Sequence, residues 1–253
     1  MLKLIINGCN GAMGQTLTKI IGEMEDAEIV AGIDQNPERC KNSYPVYTNI
    51  LDSKEEADAV IDFSNPGSLP GLLQYGTKTS TALVIATTGL SAEDLGKIKE
   101  ASEKIAIFQS GNTSLGINLL TNLVRKAAAV LNETFDIEII EKHHNKKIDA
   151  PSGTAYMLAN EINDELNNSK EFVYGREGQV GKRTKKEIGI HAVRGGTIVG
   201  EHTAIFAGLD EVIEIKHTAT SKAVFAQGAI KAAKFIAKQD KGLYNMKDVL
   251  KLD

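Results

Sequence analysis

Between Lys142 and Lys147 the chain carries two imidazoles, His143 and His144, and three ammoniums, Lys142, Lys146 and Lys147. An alternating apolar run, Phe135-Asp136-Ile137-Glu138-Ile139-Ile140, precedes this cluster and reads as a strand. Gly153–Leu166 follows it and reads as a helix opened by Pro151-Ser152-Gly153-Thr154. The first N–H groups of a helix have no partner within it, and the helix dipole is positive at that end. Together they form an anion site. Histidine titrates near neutral pH and can move a proton, while lysine can hold developing negative charge. The chemistry expected of the stretch is proton transfer to a bound carboxylate or phosphate. The same composition would also suit a solvated loop leading to an ordinary helix cap, so the rest of the chain must decide.

The elements that position such a site begin at the N-terminus. Leu2–Ile6 is a short apolar run entering Gly8-Cys9-Asn10-Gly11-Ala12-Met13-Gly14, followed by a helical pattern with Leu17, Ile20, Ile21 and Met24 on one face. A second strand, Glu28–Ile33, ends at Asp34. Strand, glycine turn, helix, strand and acid make a dinucleotide-binding βαβ unit. Gly8, Gly11, Ala12, Met13 and Gly14 would cradle the pyrophosphate, and Asp34 would accept from ribose hydroxyls. Gln35 stands where an NADP site often carries Arg. NADH is therefore favoured over NADPH, although Arg39 and Lys41 are near enough in sequence to reach a 2′-phosphate.

The α/β alternation continues through strands at Ala59–Phe63, Ala82–Ala86 and Ile105–Gln109. Their carboxyl ends carry Ser64-Asn65-Pro66, Ala86-Thr87-Thr88-Gly89 and Ser110-Gly111-Asn112-Thr113, where a parallel sheet binds its ligand. Cofactor contacts are expected from Ala86, Thr87, Thr88, Gly111, Asn112 and Thr113. After a helix at Leu115–Leu131 the strands lengthen, at Glu187–Arg194, Thr197–Ala207 and Val212–Thr218, and Gly195-Gly196 reads as a hairpin turn between the first two. The fold expected is α/β: a Rossmann-type parallel-sheet domain from residues 1–114 and 223–253, and an α+β domain with an open mixed sheet from 115–222. Two crossings between domains, near Ser114 and Lys222, would suit a hinge. Arg176–Lys186 reads as a lid or a solvated linker.

Composition narrows the partners. The 253 residues carry a net charge of −4, which gives no reason to expect nucleic acid, while local basic clusters favour a small anion. No apolar run approaches a membrane span, the N-terminus is too short for a signal peptide, and the two cysteines fit a reducing cytoplasm. No His-Glu-x-x-His or cysteine pair argues for metal, and no Gly-x-Ser-x-Gly for a hydrolase. His191, His202 and His217 fall inside expected strands, where structural roles are favoured.

The motif Glu141-Lys142-His143-His144-x-x-Lys147-x-Asp149-Ala150-Pro151-Ser152-Gly153-Thr154 resembles the signature of the 4-hydroxy-tetrahydrodipicolinate reductase (dihydrodipicolinate reductase) family. Gly8–Gly14, Asp62-Phe63-Ser64, Thr87-Thr88-Gly89, Asn112-x-Ser114-x-Gly116-x-Asn118, Gly200-Glu201-His202-Thr203 and Gly242-Leu243-Tyr244 are similar to further family motifs, in order along the whole chain. Ala86 stands where a glycine often precedes Thr-Thr-Gly, and Asp34-Gln35 replaces an acid-then-Arg pair seen in some members. The resemblance implies reduction of an unsaturated cyclic dicarboxylate by NADH or NADPH, in lysine and diaminopimelate biosynthesis, with His143 as proton donor and Lys147 as its partner. It implies that His144, Lys147, Ser152, Gly153 and Thr154, with Thr88, hold the carboxylates, and that the protein is a homotetramer joined through second-domain sheets. Another two-domain dehydrogenase would lack the His-His-Lys and Ser-Gly-Thr pairing, and a non-catalytic NAD-binding regulator would need no proton donor.

Overall fold

The computed structural model describes residues 1–252. In chain order its strands and longer helices are β1 (Leu2–Asn7), α1 (Ala12–Gly22), β2 (Ala27–Ile33), β3 (Val46–Tyr47), β4 (Ala59–Asp62), α2 (Leu69–Thr79), β5 (Ala82–Ile85), α3 (Ala92–Ser102), β6 (Ala106–Gln109) and α4 (Leu115–Leu131). They continue with β7 (Asp136–His143), α5 (Gly153–Glu165), β8 (Glu171–Tyr174), β9 (Glu187–Arg194), β10 (Gly200–Ala207), β11 (Val212–Ala219), α6 (Ala223–Ile236), β12 (Gly242–Tyr244) and α7 (Met246–Leu250). The chain divides into two compact units, Met1–Leu115 with Lys222–Asp253, and Gly116–Ser221.

The first unit is a seven-stranded sheet in the order β12-β6-β5-β4-β1-β2-β3, with every pair parallel. Parallel strands are covered on both faces, so their runs are apolar throughout rather than alternating. Leu4, Ile6, Ile61, Val84 and Phe108 point to one side, where Leu17 and Ile21 of α1 and Ala229, Ala233 and Ile236 of α6 pack. Ile5, Val60, Leu83, Ile85 and Ile107 point to the other, against Leu69 and Leu72 of α2 and Ile98 of α3. The C-terminal α6 thus belongs to the core of the first unit, and β12 extends its sheet.

The second unit is a mixed five-stranded sheet in the order β11-β10-β7-β9-β8. Strand β7 is central, antiparallel to β10 and parallel to β9. Its odd-numbered Ile137 and Ile139 join Ile188, Ile190, Ala204 and Phe206 in a core closed by Leu120 and Val124 of α4 and Leu158 and Ile162 of α5. The Gly195-Gly196 hairpin is not formed. Strand β7 lies between β9 and β10, so the link from β9 must cross the end of β7 before β10 turns back. Backbone bonds from Gly195 N to His143 O (2.9 Å) and from Asn145 N to Gly196 O (3.2 Å) fasten that crossing. The glycines supply a turn, as their chemistry requires, but one spanning a strand width rather than joining neighbours.

Arg176 and Arg183 are not loose linker residues. Arg176 donates to both oxygens of Glu138 and to Glu187, and Arg183 donates to Glu138, Asp136 and the Ile137 and Glu187 carbonyls. Burial alone raises the Glu138 carboxyl, but Arg176, His191 and Arg183 outweigh it and hold the group down at about 2.

Candidate active site

Three adjacent strands of the second unit bring the polar cluster together. On β7 the inward positions run Ile137, Ile139, Glu141, His143, so apolar core gives way to a carboxylate and an imidazole on one face. In register, Arg194 of β9 stands opposite His143, and His202 of β10 opposite Glu141. The Glu141 side chain is fully buried. Its Oε2 lies 2.6 Å from His143 Nδ1, Arg194 donates to both oxygens at 2.7 Å, and the Ser152 N–H donates to Oε1 at 2.9 Å. Burial pushes the Glu141 carboxyl up, yet Arg194, His143 and the Ser152 amide together bring it below the usual carboxylate range.

His202 packs edge-on to His143, with ring centroids 5.1 Å apart. Its Nε2 lies 3.0 Å from Ser152 Oγ. Burial, then the neighbouring His143, push its imidazole down to about 4, so it is neutral at physiological pH. Ser152 caps α5, its hydroxyl accepting from Ala155 N at 3.2 Å. The caps and buried bonds of Ser152 fix the entry to the first turn of α5, where Gly153 and Thr154 lie. Lys147 Nζ pairs with Asp149 Oδ1 at 2.8 Å, and the Asp149 carbonyl accepts from Arg194 Nη2 at 2.6 Å. The Lys147 ammonium outweighs the opposing effect of burial and holds the Asp149 carboxyl below its ordinary value. The Nδ1 of His144 is buried without a hydrogen-bond partner among the described residues. An uncompensated buried polar atom is costly, and a ligand oxygen is one way to satisfy it.

In the first unit the glycine turn leaves β1 at Gly8, whose φ of +83° favours glycine. A Cβ on Gly14 would collide with the Gly8 and Cys9 carbonyls, so the helix can close onto the turn only with glycine there. Ala12 and Met13 open α1 behind the cap residue Gly11. Asp34, at the end of β2, accepts from Asn10 N (3.1 Å) and Asn36 N (2.9 Å), and so is held at the rim of the turn. A groove of about 560 Å³ runs past Gly8, Gly11, Asp34, Arg39 and Ser64. These are the features a dinucleotide needs: bare backbone at a helix N-terminus, a fixed ribose acceptor and open volume. Beneath the groove, buried Asp62 accepts from Asn7 Nδ2 (2.9 Å) and Ser64 Oγ (2.5 Å), and Ser64 N donates to Thr87 Oγ1 (3.1 Å).

The expected cofactor residues differ in what they offer. Ala86 and Thr87 are buried at the end of β5, while Thr88 is exposed just beyond. Gly111 is exposed and Asn112 half-buried. Thr113 is buried, and its hydroxyl donates to the Phe225 carbonyl of α6 at 2.7 Å, so that side chain serves packing. Glu141, Arg194 and His202 were given no site role by sequence reasoning. Glu141 did carry a signal, since a charge occupies the inward parity set by Ile137 and Ile139. Arg194 carried none, because its partner comes from another strand, and His202 stood in the Gly200–Thr203 motif but was expected to be structural. No group of three His, Cys, Asp or Glu that could hold a metal occurs among the described residues. No helix among them is long and apolar enough to cross a membrane.

The parallel sheet, glycine turn and acid of the first unit define the Rossmann class of dinucleotide-binding folds. Residues 2–113 match the family model for the dihydrodipicolinate reductase N-terminus, and residues 116–250 match that for its C-terminus. The 4-hydroxy-tetrahydrodipicolinate reductase of Caldanaerobacter subterraneus subsp. tengcongensis is 55% identical over 251 residues, 99% of each chain. That of Clostridium tetani is 50% identical over 246 residues, 97% of this chain and 96% of its own. The solved dipicolinate-bound dihydrodipicolinate reductase of Paenisporosarcina sp. TG-14 superposes with a TM-score of 0.81 at 25% identity, covering 97% of both chains. This chain belongs to the dihydrodipicolinate reductase family, and it is an oxidoreductase. The family uses NAD(P)H, which the Rossmann unit fits.

Proposed function

We propose that the protein converts 4-hydroxy-tetrahydrodipicolinate, NAD(P)H and a proton to tetrahydrodipicolinate, NAD(P)+ and water, in lysine and diaminopimelate biosynthesis. The observation that carries this reading is His143 held on a buried Glu141–Arg194 pair beside Lys147 and the N-terminus of α5. The names of the relatives supply the substrate, and the dipicolinate bound by the Paenisporosarcina enzyme has the same pair of carboxylates.

Residues 1–114 and 223–253 bind the dinucleotide, and residues 115–222 bind substrate and carry the oligomer contacts. When bound, reduced nicotinamide supplies a hydride. Gly8, Gly11, Ala12, Met13 and Gly14 hold the pyrophosphate, and Asp34 holds the ribose. Ala86, Thr87, Thr88, Gly111, Asn112 and the Thr113 backbone line the remainder of the cofactor site. The Asp34 carboxylate would repel a 2′-phosphate, which favours NADH, while Arg39 in the same groove keeps NADPH usable. His143 gives its Nε2 proton to the ring as the hydride arrives. Lys147, released from Asp149, takes one substrate carboxylate, and His144, Ser152, Gly153, Thr154 and Thr88 position the carboxylates. The protein works as a cytoplasmic homotetramer, a reading supported by the exposed Val212 and Ile213 on edge strand β11.

Oxidation of NADH and of NADPH, each titrated against substrate generated by the preceding synthase, tests the proposal. Turnover with both cofactors and a lower KM for NADH is expected. Absence of substrate-dependent oxidation with either cofactor would overturn it.

A further inference from the structure

The proton donor needs its reacting nitrogen fixed, and the surroundings of His143 address that need. Its Nδ1 faces Glu141 Oε2 at 2.6 Å. Its Nε2 lies over Gly200, 3.1 Å from where a Cβ would stand, so a side chain there would crowd the ring. Arg194 from β9 binds both Glu141 oxygens, His202 from β10 is neutral, and Lys147 and Asp149 from the connecting loop are paired with each other. The remaining acceptor on Glu141 is the Ser152 N–H donor's oxygen, Oε1, so Oε2 is the one presented to the imidazole.

We propose that Glu141 is a positioning residue for the reduction: it accepts the Nδ1 proton of His143 in both ionisation states, so that the Nε2 proton alone is transferred and the Nδ1–H tautomer remains. The inference rests on His143 being the proton donor. The step balances simply: the Nε2–H bond breaks, a bond from that proton to the substrate ring forms, and the imidazolium becomes neutral with Nδ1–H still bonded to the carboxylate. A carboxylate can only accept, so it excludes the tautomer protonated on Nε2 alone. Arg194 fixes the carboxylate and offsets its charge. A glutamine at 141 would keep the shape but turn an amide N–H towards Nδ1 when its oxygen stays with the Ser152 N–H. The imidazolium would then have two donors facing each other.

Glu141→Gln and His143→Gln are compared with the parent in kcat, KM, the pH profile of kcat, and NADH binding. Glu141→Gln is expected to lower kcat on the order of 10²-fold with KM within a few-fold and NADH binding unchanged, and to begin losing activity at lower pH on the alkaline limb. A Glu141→Gln profile superimposable on the parent, while His143→Gln alters it, would overturn the positioning role alone. An unaltered His143→Gln profile would instead remove the acid assignment. Long-range ¹H–¹⁵N correlation on histidine-labelled parent protein decides the matter without the Glu141 variant, His143→Gln serving to assign the signal. Neutral His143 should show the Nδ1–H tautomer, and the Nε2–H tautomer would overturn the proposal even if Glu141→Gln fails to fold.

Discussion

Glu138 and Gly189 stand opposite each other in the β7–β9 register, and the Glu138 carboxylate fills the volume where any other residue at 189 would put its Cβ. The glycine therefore does not mark a turn or a bulge. It makes room for a carboxylate laid across the sheet, where Arg176, Arg183 and His191 converge on it.

Gly189→Ala should push Glu138 off those partners. Urea unfolding is expected to show a loss of about 2–3 kcal/mol, because partly buried charges lose their bonds together. The 175–186 segment should become more sensitive to protease in the folded protein. A variant within about 0.5 kcal/mol of the parent would show that the carboxylate relocates freely.

Lys147→Ala should lower kcat on the order of 10²–10³-fold while leaving thermal unfolding almost unchanged, since among the described residues the side chain's ionic partner is the half-exposed Asp149. Asp149→Asn separates the two roles of that pair: it should leave kcat within a few-fold. Steady-state kinetics on both variants checks this, and an undiminished kcat in Lys147→Ala would remove the lysine from the chemistry.

Asp34→Ala should weaken NADH binding roughly ten-fold or more and NADPH binding less if Asp34 has the proposed role, since the variant would lose an acceptor for the ribose hydroxyl together with a charge that opposes a 2′-phosphate. Fluorescence titration of both reduced cofactors provides the comparison. Equal losses would contradict ribose contact.

Acid should destabilise the protein in two stages. His202 is neutral when folded, down to about 4, but near 6.5 when unfolded, so the unfolded chain binds the extra proton between those values. Its stabilising contribution is complete above pH 6.5, falls as pH drops towards 4, and changes no further below. Glu138 acts lower, its contribution being lost as pH falls from its unfolded value towards about 2. Urea midpoints measured from pH 7 to 4 should decline in the parent and decline less in His202→Asn. Parallel curves would show that His202 does not carry the upper stage.

Periodicity made the first unit legible. Continuous apolar runs such as Leu4-Ile5-Ile6 mean a sheet covered on both faces, and the glycine spacing after β1 has a single structural use. The imidazole cluster and the helix after it were legible for the same reason, since strand, loop and cap are local. The β9–β10 link was not: a two-glycine turn has the same local chemistry whether it joins neighbouring strands or steps over one. Short strands β3, β8 and β12 were missed because their few residues pair only through the sheets they extend. Arg194 escaped attention and His202 was expected to be only structural, because their meaning comes from register with β7, which no single stretch of sequence states.

The mixed sheet's middle strand gives its two sides unrelated duties: Glu138 and Lys142 look one way, Glu141 and His143 the other. Inserting or deleting one residue between Asp136 and His143 would therefore exchange the whole set, sending the acid outward and a lysine into the oil. Length variation among related chains should thus be forbidden in this octet.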